Sequence, residues 1–184
     1  MFLQFVAIVH LRNQLILQLI IFYINQIFEF FMFKTLVLVV FSVFLSCQTL
    51  ANSLLIKAGD QQWQFTADQL LNISSKQILT STSWTEGEQT FTGLPLRDLL
   101  SHLQLMQGQL QITAINDYQI SAPISELLSY DAFIAIKRNE QLLRIRDKGP
   151  FWLVFPWTQR PELKRREIDI LSIWQISHIQ FLAK

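Results

Sequence analysis

Cysteine is almost missing from this chain: Cys47 is the only one in 184 residues. A lone thiol excludes an intrachain disulfide framework and a thiolate-rich zinc site. Histidine is nearly as scarce, with His10, His102 and His178. None of them has a His-x-x-x-His or Glu-paired spacing, so no zinc site is expected, and His102 and His178 read as surface or packed side chains. The five glycines never cluster, which removes a Gly-rich phosphate loop. No Gly-x-Ser-x-Gly elbow is present to present a hydrolase nucleophile.

Charge is thin and unevenly spread: 16% of residues are charged against 51% hydrophobic. Residues 1–51 carry only Arg12, Glu29 and Lys34, which leaves 13 Lys and Arg against 13 Asp and Glu in residues 52–184. A domain without net charge argues against a nucleic-acid partner. The chain therefore reads as an apolar leader followed by one domain of ordinary composition, long enough for a single core.

Within the leader, Met32-Phe33-Lys34 precedes the apolar run from Thr35 to Leu45, then a polar stretch ending at Ala51. This is the three-part form of a secretory signal peptide, residues 32–51, with small residues at Thr49 and Ala51 placing a cut before Asn52. The run is too short to span a bilayer as a helix. Leu45-Ser46-Cys47 is only weakly like a lipoprotein signal, because Phe44 stands where Leu is usual. Residues 1–31 leave two readings open: upstream sequence from a start site placed too early, or a poor membrane span retained with the segment after it. The implied location is periplasmic or secreted.

In residues 52–184, Trp63 and Phe65 alternate with polar neighbours as a half-buried strand. Thr66 and Gln69 then form a capping-box pattern for a short helix over 67–72. Strands are expected over 78–84 and 89–92, with Glu86-Gly87 as a turn between them. Pro95, followed by Leu96, Leu99, Leu100 and Leu103 at helical spacing, predicts a helix over 95–105. Further strands are expected over 110–115, 118–122, 133–136, 142–146, 151–155 and 173–181, with one helical turn at 125–128 and a charged helix at 161–167. Short helices among many strands, without regular alternation, indicate an α+β domain built on a mixed, mostly β sheet.

Two basic groups stand out. Arg144 and Arg146 would share one face of a strand and could seat a phosphate or carboxylate; Lys164-Arg165-Arg166 is the other. Both also read as solvated charged faces. Trp152 and Trp157 flank an apolar strand and read first as core.

Four stretches taken in order carry a resemblance: Phe91-Thr92-Gly93-Leu94-Pro95-Leu96-Arg97-Asp98-Leu99-Leu100, Ala114-Ile115-Asn116-Asp117-Tyr118, Arg146-Asp147-Lys148-Gly149-Pro150-Phe151-Trp152-Leu153-Val154-Phe155-Pro156, and Ile173-Trp174-Gln175-Ile176. Together they resemble the oxidoreductase molybdopterin-binding domain of the sulfite oxidase fold, especially small secreted bacterial proteins that consist of little else. In catalytic members of that family a cysteine thiolate binds molybdenum upstream of a Trp. Counting back from Trp84 places Thr80 at that position. Catalytic relatives also carry an Arg in contact with the cofactor where this chain has Trp152. A hydroxyl is a far poorer ligand for this metal than a thiolate.

The resemblance thus implies a pocket near Thr80, Trp84, Asn116, Tyr118, Arg146 and Trp152. Arg146 would supply charge and Trp84 or Trp152 a stacking face for a small anionic or planar ligand; Trp152 filling the pocket is the competing arrangement. No catalytic residue or metal ligand is identified, and no cofactor is expected from the residues, while the resemblance makes molybdopterin possible. The leading expectation is a secreted, non-catalytic domain that binds a small ligand or a periplasmic or membrane protein partner. The alternative is an oxidoreductase that holds molybdopterin without a cysteine ligand. Contact with the membrane itself follows only if the leader is retained.

Export makes the first prediction. Amino-terminal sequencing of protein recovered from the periplasm should start at Asn52. A stable product that begins at Met1 or Met32 would refute the signal-peptide reading.

Overall fold

The computed structural model describes residues 53–182, together with Tyr23 and Gln26. The expectations for residues 1–31, for the signal at 32–51 and for Cys47 lie outside the described residues. Among the described residues no helix is long and apolar enough to cross a membrane.

Alternating side chains build the first hairpin. Strand β1 (Ser53–Ala58) buries Leu54 and Ile56, and pairs antiparallel with β2 (Gln61–Thr66). Thr66 ends β2 and starts helix α1 (Ala67–Ile73) through the capping box: its Oγ1 accepts from the Gln69 N–H at 3.3 Å, and its own N–H donates to Gln69 Oε1 at 2.8 Å. Strands β3 (Lys76–Ser81) and β4 (Glu88–Pro95) follow, then helix α2 (Leu96–His102). Next come β5 (Gln109–Ala114), β6 (Gln119–Pro123) and helix α3 (Ile124–Ser129). Strands β7 (Phe133–Arg138), β8 (Gln141–Leu142) and β9 (Trp152–Val154), helix α4 (Arg166–Leu171) and strand β10 (Ile176–Leu182) complete the order.

The strands form two sheets. The first has the order β2-β1-β10-β5-β6, with β1 and β10 parallel and the other neighbours antiparallel. The second has the order β3-β4-β7-β8, with β9 also paired to β7. This is a mixed-sheet α+β architecture. The two sheets are joined where β9 meets the segment leading into β10: Leu153 N–H donates to Ile173 O at 2.9 Å, and Ile176 N–H to Phe151 O at 3.0 Å. β4 crosses β7 so closely at Gly93 that a Cβ there would collide with the Ile134 carbonyl.

Phe133 to Ile136 and Phe151 to Phe155 are all buried, and β7 and β9 are adjacent, with Ile134 opposite Leu153. Leu96, Leu99 and Leu100 of α2 join the same core, while Leu103 is only partly buried against it.

Five elements differ from the sequence expectation. The strand expected over 78–84 spans Lys76–Ser81 instead, because the Thr82 and Thr85 hydroxyls bond the backbone of a turn that takes Trp84 out of the strand. α2 stops at His102 because Gln104 takes φ +60, and Leu105 N–H turns back to Leu100 O at 2.9 Å. The expected 142–146 strand is cut short after Leu142. Ile145–Asp147 is instead a 3₁₀ turn held by Arg144 Nε donating to Asp147 at 2.8 Å. The 161–167 helix divides into a 3₁₀ turn at Pro161–Leu163 and the later helix α4. In β10 a bulge between Ile176 and His178 breaks the simple alternation, so that Ile176 and Ile179 are both buried.

Leu99 is wholly buried between helix and sheet, so Leu99→Ala should cost ~2 to 5 kcal/mol of stability. Urea unfolding should show this as a lowered midpoint with unchanged slope; an unmoved midpoint would remove α2 from the core.

Candidate functional site

A pocket of about 410 Å³ opens beside the junction of the two sheets, lined on one side by Trp84 and Trp174 and on another by Asn116 and Tyr118. Each is held by local backbone chemistry. Trp84 sits in a turn stapled by hydroxyls: Thr82 Oγ1 accepts from the Trp84 N–H at 3.1 Å, and Thr85 Oγ1 accepts from the Thr82 N–H at 3.1 Å. Asn116 and Tyr118 lie on the turn between β5 and β6. Asp117 there adopts φ +63, and Asn116 Oδ1 accepts from the Tyr118 N–H at 3.3 Å. Trp174 lies just before β10 and meets Trp84 edge to face, ring centres 5.1 Å apart.

Helix α4 supplies the polar side. Arg166, Asp169 and Ile170 recur at helical spacing and all line the pocket. Asp169 accepts from Ser83 Oγ at 3.0 Å, which ties α4 to the Trp84 turn. The Arg166 guanidinium makes no ion pair or hydrogen bond among the described residues. Arg166 and Asp169 also border a second, polar groove of about 320 Å³, where Ser81, Thr82 and Ser83 face Lys164 and Arg165.

Three of the six residues expected at the site, Trp84, Asn116 and Tyr118, thus line one pocket. The other three do not. Arg146 belongs to the 3₁₀ turn, is 72% exposed and faces Asp147 at 3.8 Å on a different groove. Its strand-face pairing with Arg144 fails because no strand forms there. Asp147 is held below the usual carboxylate range chiefly by the hydrogen bond from Arg144. Trp152 is wholly buried and lies behind the pocket: its Nε1 donates to Ser172 Oγ at 3.0 Å, and its ring packs edge on against Phe91, Trp84 and Trp174. It supports the wall and leaves the pocket open. Thr80 is also wholly buried; its Oγ1 donates to Phe155 O at 3.0 Å and accepts from the Thr158 N–H at 3.4 Å.

Arg166, Asp169, Ile170 and Trp174 were not singled out individually as site residues from the sequence. The i, i+3, i+4 spacing of the first three was visible, but a charged surface helix explains that spacing equally well. Trp174 belonged to the last matching stretch without being assigned a role.

At Thr80, where the resemblance would put the molybdenum ligand, the residues do not fit a metal centre. Thr80 offers a hydroxyl already committed to the Phe155 carbonyl, where a metal would need a free, soft anionic ligand. Among the described residues no group of three or more His, Cys, Asp or Glu is arranged to hold a metal ion. Lys148 completes the surroundings, its Nζ 4.2 Å from the centre of the Trp174 ring. Burial, with the Arg138 charge adding to it, lowers its pKa below that of an ordinary lysine.

Comparison with known proteins agrees with the architecture. The fold is similar to a chain in the crystal structure of the sulfane dehydrogenase SoxCD from Paracoccus pantotrophus, with a TM-score of 0.53 and 17% identity over 72% of this chain. Only 38% of that chain is covered, so the likeness speaks for the fold alone. No curated protein matches the sequence. Residues 53–160 match the family model described as the oxidoreductase molybdopterin binding domain, more than half of the chain. A mixed two-sheet domain with this match belongs to the oxidoreductase molybdopterin-binding domain family.

Proposed function

We propose that this family member acts outside the cytoplasm as a non-catalytic binding domain, taking a small planar anion into the pocket between Trp84, Trp174 and Tyr118. The observation that carries this reading is the pairing of a closed metal position with an open aromatic pocket. Thr80 spends its hydroxyl inside the core, whereas the neighbouring aromatic walls and the unpaired Arg166 remain available to a ligand. Indole rings offer stacking surface, and the guanidinium offers a planar fork suited to a carboxylate or sulfonate. Asn116 spends its Oδ1 on the turn, so its amide N–H₂ can donate to a ligand at the rim. Asp169, the carboxylate of the lining, is engaged by the Ser83 hydroxyl at 3.0 Å, and this reading gives the pocket a binding role.

The charge that resemblance placed at Arg146 comes in this reading from Arg166, with Lys164 and Arg165 available to a longer anionic tail in the adjoining groove. The family is molybdopterin-binding, and the organic part of such a group is one planar anion among several that this lining suits.

Two measurements test the reading on purified full-length protein. After expression in a host that makes molybdopterin, metal analysis should find molybdenum far below one atom per chain, and Thr80→Cys alone should not restore loading while Trp152 remains. Titration with indole-3-carboxylate should shift the indole N–H resonances of Trp84 and Trp174, and Arg166→Gln should weaken binding about tenfold, the effect of losing a charge-assisted hydrogen bond. Stoichiometric molybdenum in the unmodified protein would instead favour the metal-holding oxidoreductase.

A further inference from the structure

An aromatic-walled pocket is ordinarily an invitation to a cation, because the ring faces are negative. Here one wall already holds one. The Lys148 ammonium lies 4.2 Å from the centre of the Trp174 ring and 5.7 Å from that of Trp152, and Trp174 lines the pocket while Lys148 itself does not.

Its position is fixed by backbone. Lys148 closes the 3₁₀ turn at φ +71, its carbonyl accepts from the Gln175 N–H at 3.2 Å, and the next N–H, of Gly149, donates to Arg144 O at 2.8 Å. Neighbouring Asp147 is engaged by Arg144 at 2.8 Å and faced by Arg146 at 3.8 Å, and Lys148 makes no salt bridge with it among the described residues. Trp174 thus serves as the partner of the ammonium. Across the pocket Arg166 adds a second positive charge, while Asp169 is hydrogen-bonded to Ser83.

We infer that Lys148 is a specificity-determining positioning residue: with its ammonium held against the ring of Trp174, a wall of the pocket, it makes the pocket choose planar anionic or neutral rings over quaternary ammonium and other cationic ones. The proposal rests on the pocket being a binding site, and deepens that reading by naming what it rejects and which residue does the rejecting. The physical basis is twofold. A cation already held on the Trp174 ring competes for the electron density that a second cation would need from the same indole. A cation entering the pocket would also be repelled by the Lys148 charge beside that wall, on the order of tenfold in affinity.

The test uses two probes of similar size and opposite charge, benzenesulfonate and phenyltrimethylammonium, titrated into the full chain with the Trp84 and Trp174 indole N–H resonances as readout. The wild type should bind the sulfonate at least tenfold more tightly. Lys148→Met and Lys148→Gln should shift the ratio about tenfold toward the ammonium, and Lys148→Arg should keep the wild-type ratio. A merely structural lysine would move both affinities together. An unchanged ratio in the neutral variants, with the sulfonate still binding, overturns this inference and leaves the pocket reading intact. Neither probe shifting either indole in the wild type overturns the pocket reading and this inference with it. Tighter binding of the ammonium by the wild type also defeats the proposal. Should the neutral variants not fold, Arg166→Gln decides: a sulfonate preference that persists without this guanidinium supports the role of Lys148, and one that vanishes with it overturns the inference.

Discussion

The hydrogen bond from the Trp152 indole to Ser172, buried at the meeting of the two sheets, is the contact on which the rest of this domain depends. The indole is wholly buried, so its N–H needs a protein partner. Ser172, 2% exposed, accepts it at 3.0 Å and passes its own proton to Leu153 O at 2.8 Å. One serine thereby satisfies an indole and a strand carbonyl, and locks the segment before β10 to β9. Because β9 belongs to one sheet and β10 to the other, this relay and the adjacent backbone bonds hold the sheets in register. Burial of the indole adds about 4 to 6 kcal/mol as an upper figure, at ~25 cal/mol per Å².

The same side chain shapes the pocket without entering it. Trp84 and Trp174 both rest edge on against Trp152, with ring centres 6.3 Å away in each case, so the aromatic walls inherit their positions from the core. The hydroxyl-stapled turn at 82–85 and the Ser83–Asp169 bond then fix the wall to helix α4. This is a rigid arrangement of short-range bonds around one buried ring. Rigid aromatic walls lose little entropy when a ligand stacks on them, and in such a site charge placement decides which ligand is accepted.

What could be read from the sequence was what local rules determine. The Thr66–Gln69 capping box, the β7 and β9 core strands and the leucine face of α2 each follow from a pattern confined to a few neighbouring residues. The 3₁₀ turn at 145–147 did not, since Leu142-Leu143-Arg144-Ile145-Arg146 has the composition of a strand and only the Arg144–Asp147 bond reveals the turn. The bulge in β10 was equally hidden, because an inserted residue shifts facing without changing composition. The site was half legible for the same reason. Asn116 and Tyr118 flank the junction of two strands that the pattern marked, whereas Trp84, expected at the end of a strand, sits in a hydroxyl-stapled turn. Arg166 and Trp174 reach the pocket through the tertiary path of α4 and the segment after it, which no local pattern encodes.

Thr80 and Trp152, the two positions at which the resemblance implies a departure from the catalytic pattern, share one physical feature. In catalytic relatives, as the resemblance has it, these positions face a cofactor; here both are wholly buried and fully hydrogen-bonded within the protein. Thr80 bridges β3 to the chain at 155–158, giving the Phe155 carbonyl its donor and the Thr158 N–H an acceptor, while Thr158 Oγ1 accepts from the Ser81 N–H at 3.1 Å in return. A thiol at position 80 is a weak donor and a weak acceptor, and would leave these backbone groups poorly satisfied at ~1 to 3 kcal/mol each. An arginine at position 152 would put a guanidinium against Phe91 and two indoles, with the Ser172 hydroxyl on one side and the like-charged Lys148 ammonium nearby, a cost that a buried charge without an acidic partner does not recover. A cysteine at 80 or an arginine at 152, introduced alone, would therefore strain a core built around the threonine hydroxyl and the indole, and with it the pocket that their packing leaves open beside them.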